Sequence, residues 1–543
     1  MLIRTTAVLL AALALNACQK SVDPVPEPAK RPNIVFILAD DLGYADVGAF
    51  GSEIPTPNLD RLAKSGMMLT DFHTSMTCSP TRAMLMAGMD NHRAGLGVMG
   101  VPTREEQKGK PGYEGHLNFR VAALPELLTD AGYNSYMVGK WHLGATPETG
   151  PAARGFRRVF ASVDGAAHLG PWDWRGPQDA QFFDGNELVT VGEDWYSTRD
   201  YTKKMLGYIE QDRVEGKPFF AYMAYTAPHW PLQAPKESIA KFKGRYDAGY
   251  EALYAERFAR QKELGLVPKD AKPIDNARFS PRWNDLPEDE KRLAARRMEI
   301  YAAMVSDLDQ YVGELIAYLE QIGELDNTFI LFASDNGAEP DRRDLQENIA
   351  QHIGKAYDHS LENLGSPTSY VMYGANWASA GATPWNRHKF TAFEGGIRVP
   401  AFAVLPGRIE AGSRSDAMST IMDVMPTFLE LAGTQHPGTQ YKGREVQSPQ
   451  GRSLLPVLYG ETAEVHAADA QFGWELFGQR AVRKGEWKLV WDQAAPEAER
   501  RWQLFDLATD PFEQTDLAKA NPDKYQELLA QWDNYEQSNG VIY

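Results

Sequence analysis

Only two cysteines, Cys18 and Cys78, occur in this chain of 543 residues. A disulfide framework is therefore excluded as the main source of stability. No apolar run approaches the roughly 20 residues that a membrane-spanning helix needs. There is no glycine-rich phosphate loop of the Walker or dinucleotide kind, no internal repeat, and no low-complexity tract beyond one proline-rich stretch near the start. Positive charge is also in short supply: 56 Lys and Arg against 73 Asp and Glu leave a net charge of −17, which disfavours nonspecific nucleic-acid binding. An anionic small substrate is still compatible with this surface, because a local cluster of Lys, Arg and metal overrides the global field. At 60.6 kDa the chain exceeds what one small core serves, so a large domain with a smaller companion is expected.

The first cysteine belongs to a leader. Arg4 precedes the short apolar core Ala7–Leu15, and Leu15-Asn16-Ala17-Cys18 ends it with small residues before the thiol. Residues 1–18 thus read as a lipoprotein-type signal segment with Cys18 as the lipid attachment point, so a bridge to Cys78 is not expected. Residues 19–31 include Pro24, Pro26 and Pro28 and read as a stiff polyproline-like tether, reaching about 40 Å at ~3.1 Å per residue. The expectation is an exported periplasmic or cell-envelope protein whose only membrane contact is the lipid on Cys18.

The body begins with Asn33–Ala39, a continuous apolar run suited to a strand buried on both faces. Three similar runs follow at Tyr136–Val138, Pro218–Tyr225 and Thr328–Ala333. Each is followed by chemistry: Asp40-Asp41, Lys140-Trp141-His142, Pro228-His229 and Asp335-Asn336. Ligands bind at the carboxyl edge of open α/β sheets, so four such ends point to one pocket. Helices are expected over Pro57–Gly66, Leu124–Ala131 and Met298–Gly323, the last with Ile300, Met304, Leu308, Val312 and Leu315 as a core stripe. Residues 236–297, charged and helix-prone, read as a surface insertion. Ile397–Leu405 reads as a further strand, and the segments 480–491 and 502–507 as paired antiparallel strands of a small α+β domain covering 434–543. The catalytic domain is then 32–433.

Cys78-Ser79-Pro80-Thr81-Arg82 places the second cysteine just before a helix, with Ser79 as N-cap and Pro80 in the first turn. Asp40, Asp41, Asp335 and Asn336 offer only oxygen donors, which suits Ca²⁺ or Mg²⁺. Lys140 and His142 fall on one face if that segment stays extended. Lys389 precedes the turn Glu394-Gly395-Gly396.

These motifs, in this order and together with Gly139–Gly144, Ala227-Pro228-His229-Trp230-Pro231 and Ser334–Gly337, resemble the type I sulfatase family and are most similar to its bacterial arylsulfatases. The resemblance runs from about Arg31 to the C-terminus. It implies an alkaline-phosphatase-like α/β fold, a large, mostly parallel mixed sheet flanked by helices, plus a small C-terminal domain with an antiparallel sheet. It further implies that a dedicated maturase oxidises Cys78 to formylglycine, and that the aldehyde hydrate attacks the sulfur of a sulfate monoester. One Ca²⁺ would be held by Asp40, Asp41, Asp335 and Asn336. Arg82 would orient the diol, Lys140 and Lys389 would bind sulfate oxygens, His142 would assist collapse of the hemiacetal sulfate, and His229 would protonate the leaving oxygen. A phosphonate or phosphodiester monoester hydrolase on the same scaffold shares these residues. An inactive sulfate- or glycan-binding lipoprotein would not need Cys78, His142 and His229, and a zinc phosphatase would need more His ligands.

Overall fold

Alternation within the first buried strand sets the architecture. In the computed structural model, which describes residues 30–543 apart from 103, 164–167, 173–179 and 276–277, strand β1 (Asn33–Ala39) is wholly buried. Val35, Ile37 and Ala39 enter one core while Ile34, Phe36 and Leu38 enter another, so both faces of the sheet are covered. The leader, Cys18 and nearly all of the tether lie outside the described residues.

The remaining strands of this sheet are β2 (Met67–Leu69), β3 (Asn134–Lys140), β4 (Arg158–Ser162), β5 (Phe182–Asp184), β6 (Glu187–Val189), β7 (Phe219–Ala224), β8 (Thr328–Ser334), β9 (Ala401–Val404) and β10 (Ser413–Ser415). Their order is β10-β2-β9-β8-β1-β7-β3-β4-β5-β6. The centre is parallel: β1 pairs with β8 and β7, β7 with β3, and β3 with β4, while β9 runs antiparallel to β8. Pairing Ala39 with Ser334 and Leu38 with Ala224 brings the ends of β1, β8 and β7 to the same edge. Gly139 permits β3 to lie this close: its φ is +100°, and a Cβ there would stand 1.7 Å from the Ala224 carbonyl oxygen.

Helices cover both faces. The long helix Glu288–Gln321 buries Ile300, Met304, Leu308, Val312 and Leu315 in the first core, at the spacing that its sequence predicts. The helix Cys78–Ala87 and the helix Val424–Leu431 fill the second. The charged stretch 236–297 is helical but is not a surface appendage. Phe242, Tyr246, Tyr250, Leu253, Tyr254 and Phe258 join the first core, and fully buried Arg257 pairs with Asp46 at 2.6 Å and Glu53 at 2.8 Å. Composition alone concealed this, because buried ion pairs count as surface charge in a sequence.

The C-terminal sheet has four antiparallel strands, Gln471–Leu476, Gln479–Lys484, Trp487–Trp491 and Trp502–Asp506. One face packs Val482, Leu489 and Leu504 against Leu528 and Trp532 of the helix Pro522–Asn539. Its other face packs Trp474, Ala481, Val490 and Phe505 against Met76, Phe393 and Ile397. That sheet therefore supports the segments flanking Cys78 and Lys389. The strand read over Ile397–Leu405 is shorter, Ala401–Val404, because Glu394–Ile397 forms a helical turn. Among the described residues no helix is long and apolar enough to cross a membrane.

Candidate active site

Every sequence-predicted site residue comes to the carboxyl edge of the large sheet or to loops beside it. Asp40 and Asp41 follow β1, Asp335 and Asn336 follow β8, and Lys140 ends β3. All five are at most 1% exposed. The helix Cys78–Ala87 starts two residues earlier than its sequence suggests, with extended Thr77 rather than Ser79 at its N-cap. Cys78 thus occupies the first helical turn, and Arg82, one turn on, shares its face. Lys140 and His142 do not follow strand alternation: β3 stops at Lys140, and His142 takes a left-handed φ of 59°.

Opposite charges interlock here. Lys140 Nζ lies 2.7 Å from Asp40 Oδ2, and Lys389 Nζ lies 2.7 Å from Asp41 Oδ1. Arg82 donates to Asp335 Oδ2 through Nε at 3.0 Å and a terminal nitrogen at 2.7 Å, and to the Lys140 carbonyl at 2.6 Å. The Asn336 side-chain amide donates to Asp41 Oδ1 at 2.7 Å, and Cys78 Sγ sits 3.7 Å from that same oxygen. His229 stands between two cis X-Pro bonds, its Nε2 3.4 Å from Asp41 Oδ2, its Nδ1 against the Trp230 carbonyl. Since a carbonyl only accepts, that contact places the hydrogen on Nδ1.

Three buried oxygens of this cluster have no hydrogen-bond partner: Asp40 Oδ1, Asp41 Oδ2 and Asn336 Oδ1. Leaving three acceptors dry is costly, and a hard cation would satisfy all of them. Potential ligand atoms of Asp40, Asp41, Cys78 and His229 also lie within 4.8 Å of one another. Both Asp335 oxygens already accept hydrogen bonds, one from the Asp41 amide at 3.1 Å, so it would ligate with a remaining lone pair. The donor set thus fits a single oxygen-coordinated divalent ion.

Ionisation follows from burial and these neighbours. Burial opposes charge on Asp41, but Lys389, His229 and Lys140 more than offset it and hold the carboxyl well below its usual range. Asp335 is raised to about 6 by burial and by Asp40, against the pull of Arg82. Burial pushes the Cys78 thiol well above its ordinary value despite Lys140 and Lys389. As it stands, Cys78 is a protonated thiol rather than a thiolate nucleophile. Burial, Lys140 and Arg82 hold His142 neutral, and its Nδ1 has no partner. Burial and Lys140 likewise hold His229 neutral, with Asp41 opposing.

Two groups escaped sequence reasoning. Glu339, buried, places Oε2 2.6 Å from Lys389 Nζ, and its carboxyl is raised to about 7 by burial. Its only sequence signal was its place three residues after Asn336. The second is a row of rings leading away from His229: Trp230 at 4.6 Å, Tyr370 at 5.9 Å from Trp230, Tyr357 at 5.2 Å from Tyr370, and Trp172 at 5.6 Å from Tyr357. These residues are scattered along the chain, so no motif announces them.

Known proteins share this chain's sequence pattern and fold. The Sulfatase family model matches residues 32–434, and the N-sulphoglucosamine sulphohydrolase C-terminal model matches 383–537. An uncharacterized sulfatase of Schizosaccharomyces pombe is 44% identical over 95% of both chains. The arylsulfatase of Klebsiella aerogenes is 38% identical, covering 74% of this chain and 87% of its own. Among solved structures, that of Ps i-CgsB in complex with k-i-k-neocarrahexaose has a TM-score of 0.67 at 26% identity, covering 94% of each chain. On its sequence, its fold and these relatives, the chain belongs to the type I sulfatase family and is a hydrolase of sulfuric esters.

Proposed function

We propose that this enzyme hydrolyses aryl-type sulfate monoesters to a phenol or alcohol and inorganic sulfate, with Cys78 matured to formylglycine and one Ca²⁺ held by Asp40, Asp41, Asp335 and Asn336. The observation that carries this reading is the presence of three unpartnered buried oxygens, on Asp40, Asp41 and Asn336, in one cluster with Cys78 and two lysines. The modified residue would supply a nucleophilic oxygen and a second hydroxyl through which sulfate is released. The ion would polarise that nucleophile and a sulfate oxygen.

The chain's own groups do the rest. Arg82, fixed by Asp335 and the Lys140 carbonyl, sets a permanent positive charge under residue 78. Lys140 and Lys389, each steered by one aspartate, present ammonium groups to the sulfate oxygens. His142, neutral and with a ring nitrogen free of partners, takes the proton from the second hydroxyl. His229 holds its Nδ1 hydrogen on the Trp230 carbonyl, so Nε2 is the atom that gains and donates a proton. A bound sulfate ester adds negative charge nearby and favours that imidazolium. The leaving group then lies where the aromatic row begins, which suits an aryl ring.

A panel of nitrophenyl sulfate, phosphate, phosphonate and phosphodiester substrates on matured enzyme tests the reading. Preference for the sulfate monoester is expected; preference for a phosphonate or phosphodiester would replace it with the rival hydrolase. Export and anchoring through lipid on Cys18 are proposed on the leader sequence alone. Recovery of an unlipidated mature protein beginning elsewhere would contradict that.

A further inference from the structure

Among the described residues, Glu339 is the one carboxylate in contact with the catalytic cluster that neither belongs to the metal-ligand set nor pairs with Arg82. We propose that it acts through Lys389 to set the charge of the site, and thereby selects singly charged sulfate esters over doubly charged phosphate monoesters. The inference rests on the function proposed above and extends it to substrate charge.

Lys389 Nζ is shared between Asp41 Oδ1 at 2.7 Å and Glu339 Oε2 at 2.6 Å. Both carboxylates and the lysine are at most 4% exposed, so water screens none of them well. Glu339 is also fixed on its other side: Oε1 accepts the Asp341 amide at 2.9 Å, and Asp341 holds Arg343, whose guanidinium stacks 5.3 Å from the Trp230 ring. The residue cannot swing away from the lysine without breaking this chain.

The cluster contains three cations, Arg82, Lys140 and Lys389, and four carboxylates, Asp40, Asp41, Asp335 and Glu339. With every group ionised the protein contributes one net negative charge. A divalent ion turns this into one net positive charge, the complement of a sulfate monoester anion. Removing the charge of Glu339 leaves two positive charges, the complement of a phosphate monoester dianion. His142, His168, His229 and, beside Lys389, His388 are held neutral by desolvation in the free site. The proton that His229 takes up with a bound ester adds the same charge to wild type and variant, so the difference that Glu339 makes is unaltered. Opposite charges within several ångströms, poorly screened, are worth at least about tenfold in discrimination.

The test is Glu339→Gln, which keeps the side chain's volume and one acceptor oxygen, for either the Asp341 amide or Lys389, while deleting the charge, with Glu339→Asp as the charge-retaining control. First, kcat/KM is measured for nitrophenyl sulfate and nitrophenyl phosphate on matured, Ca²⁺-supplied enzyme, at a pH well above 7, where the phosphate is a dianion and the raised Glu339 carboxyl is ionised. Second, calorimetry measures binding of benzenesulfonate and benzylphosphonate dianion to unmatured protein, a readout independent of turnover. The phosphate-to-sulfate ratio should rise at least about tenfold in Glu339→Gln, the binding ratio should move the same way, and Glu339→Asp should stay near wild type. An unchanged or lower ratio in Glu339→Gln overturns the inference, even if both rates fall together, since that pattern marks a merely structural role. Wild-type enzyme with no sulfate ester turnover would instead refute the proposed function.

Discussion

Lys488 offers a sharp energetic test, because it ties the C-terminal sheet to the loop that carries Lys389. Its ammonium is fully buried, 2.7 Å from Glu394 Oε1 and 2.8 Å from Glu513 Oε1, and both carboxylates are equally buried. Glu513 in turn accepts the Glu394 amide at 2.7 Å, and Glu394 Oε2 meets His73 Nε2 at 3.0 Å. Replacing Lys488 with Met preserves most of its volume but leaves two carboxylates without their shared cation. Breaking one side of such a buried pair costs about 3–5 kcal/mol. The deficit should depend on pH. Burial, opposed by Lys488, already raises Glu513 to about 7, and removing the lysine raises it further. A raised carboxyl pKa means that protonation favours the folded state, so the destabilisation should be smallest in mild acid and grow as pH rises through 7. Urea unfolding across pH measures it, and the double variant Lys488→Met/Glu513→Gln should recover part of the loss. A change under about 1 kcal/mol at pH 8, or a deficit indifferent to pH, would refute the claim that this cluster ties the C-terminal sheet to that loop.

Three further outcomes follow from the geometry. His92, buried between Asp90 at 2.9 Å and Glu475 at 2.9 Å, has its pKa raised to about 10 by those carboxylates against its burial. Its contribution to stability should be complete below about pH 6.5 and fade as pH climbs through 10; a His92→Gln variant should lose that alkaline slope, as thermal denaturation at several pH values would show. Adding Ca²⁺ to chelated protein should raise the melting temperature, and Asp40→Asn should abolish most of that rise; an equal rise in both would move the metal elsewhere. His229→Ala should depress hydrolysis of esters with poor leaving groups about 10²–10⁴-fold more than that of activated nitrophenyl sulfate, and equal losses across a graded phenyl sulfate series would remove His229 from the acid role.

Local sequence carried most of the site because local sequence builds most of it. The buried strands around β1 announce themselves as apolar runs, and each hands its first polar residues to the same edge once the parallel register is set. Asp40, Asp41, Lys140, Asp335 and Asn336 were therefore readable from the strand ends alone. The four-stranded C-terminal sheet was only partly readable: Gln471–Leu476 sets apolar Phe472, Trp474 and Leu476 in strict alternation, the pattern of a half-buried strand, but the run is only six residues long. What could not be read depends on long-range packing. Arg257 looks like surface charge until Asp46 and Glu53 close around it, and Glu339 gains meaning only when Lys389 arrives from fifty residues away. The direction of His142 could not be read, since nothing in Lys140-Trp141-His142 shows that the segment stops being extended and leaves the strand through a left-handed residue. The ring row from His229 to Trp172 likewise exists only in three dimensions.

The central claim is that the buried thiol of Cys78 is a precursor and not the working nucleophile. Peptide mass spectrometry of the Cys78-Ser79-Pro80-Thr81-Arg82 segment, set beside sulfate ester turnover in preparations co-expressed with graded amounts of maturase, tests it most directly. Activity should rise in proportion to the fraction of residue 78 present as aldehyde or its hydrate and extrapolate to zero at no conversion. Full turnover from protein carrying only the unmodified cysteine would contradict the account.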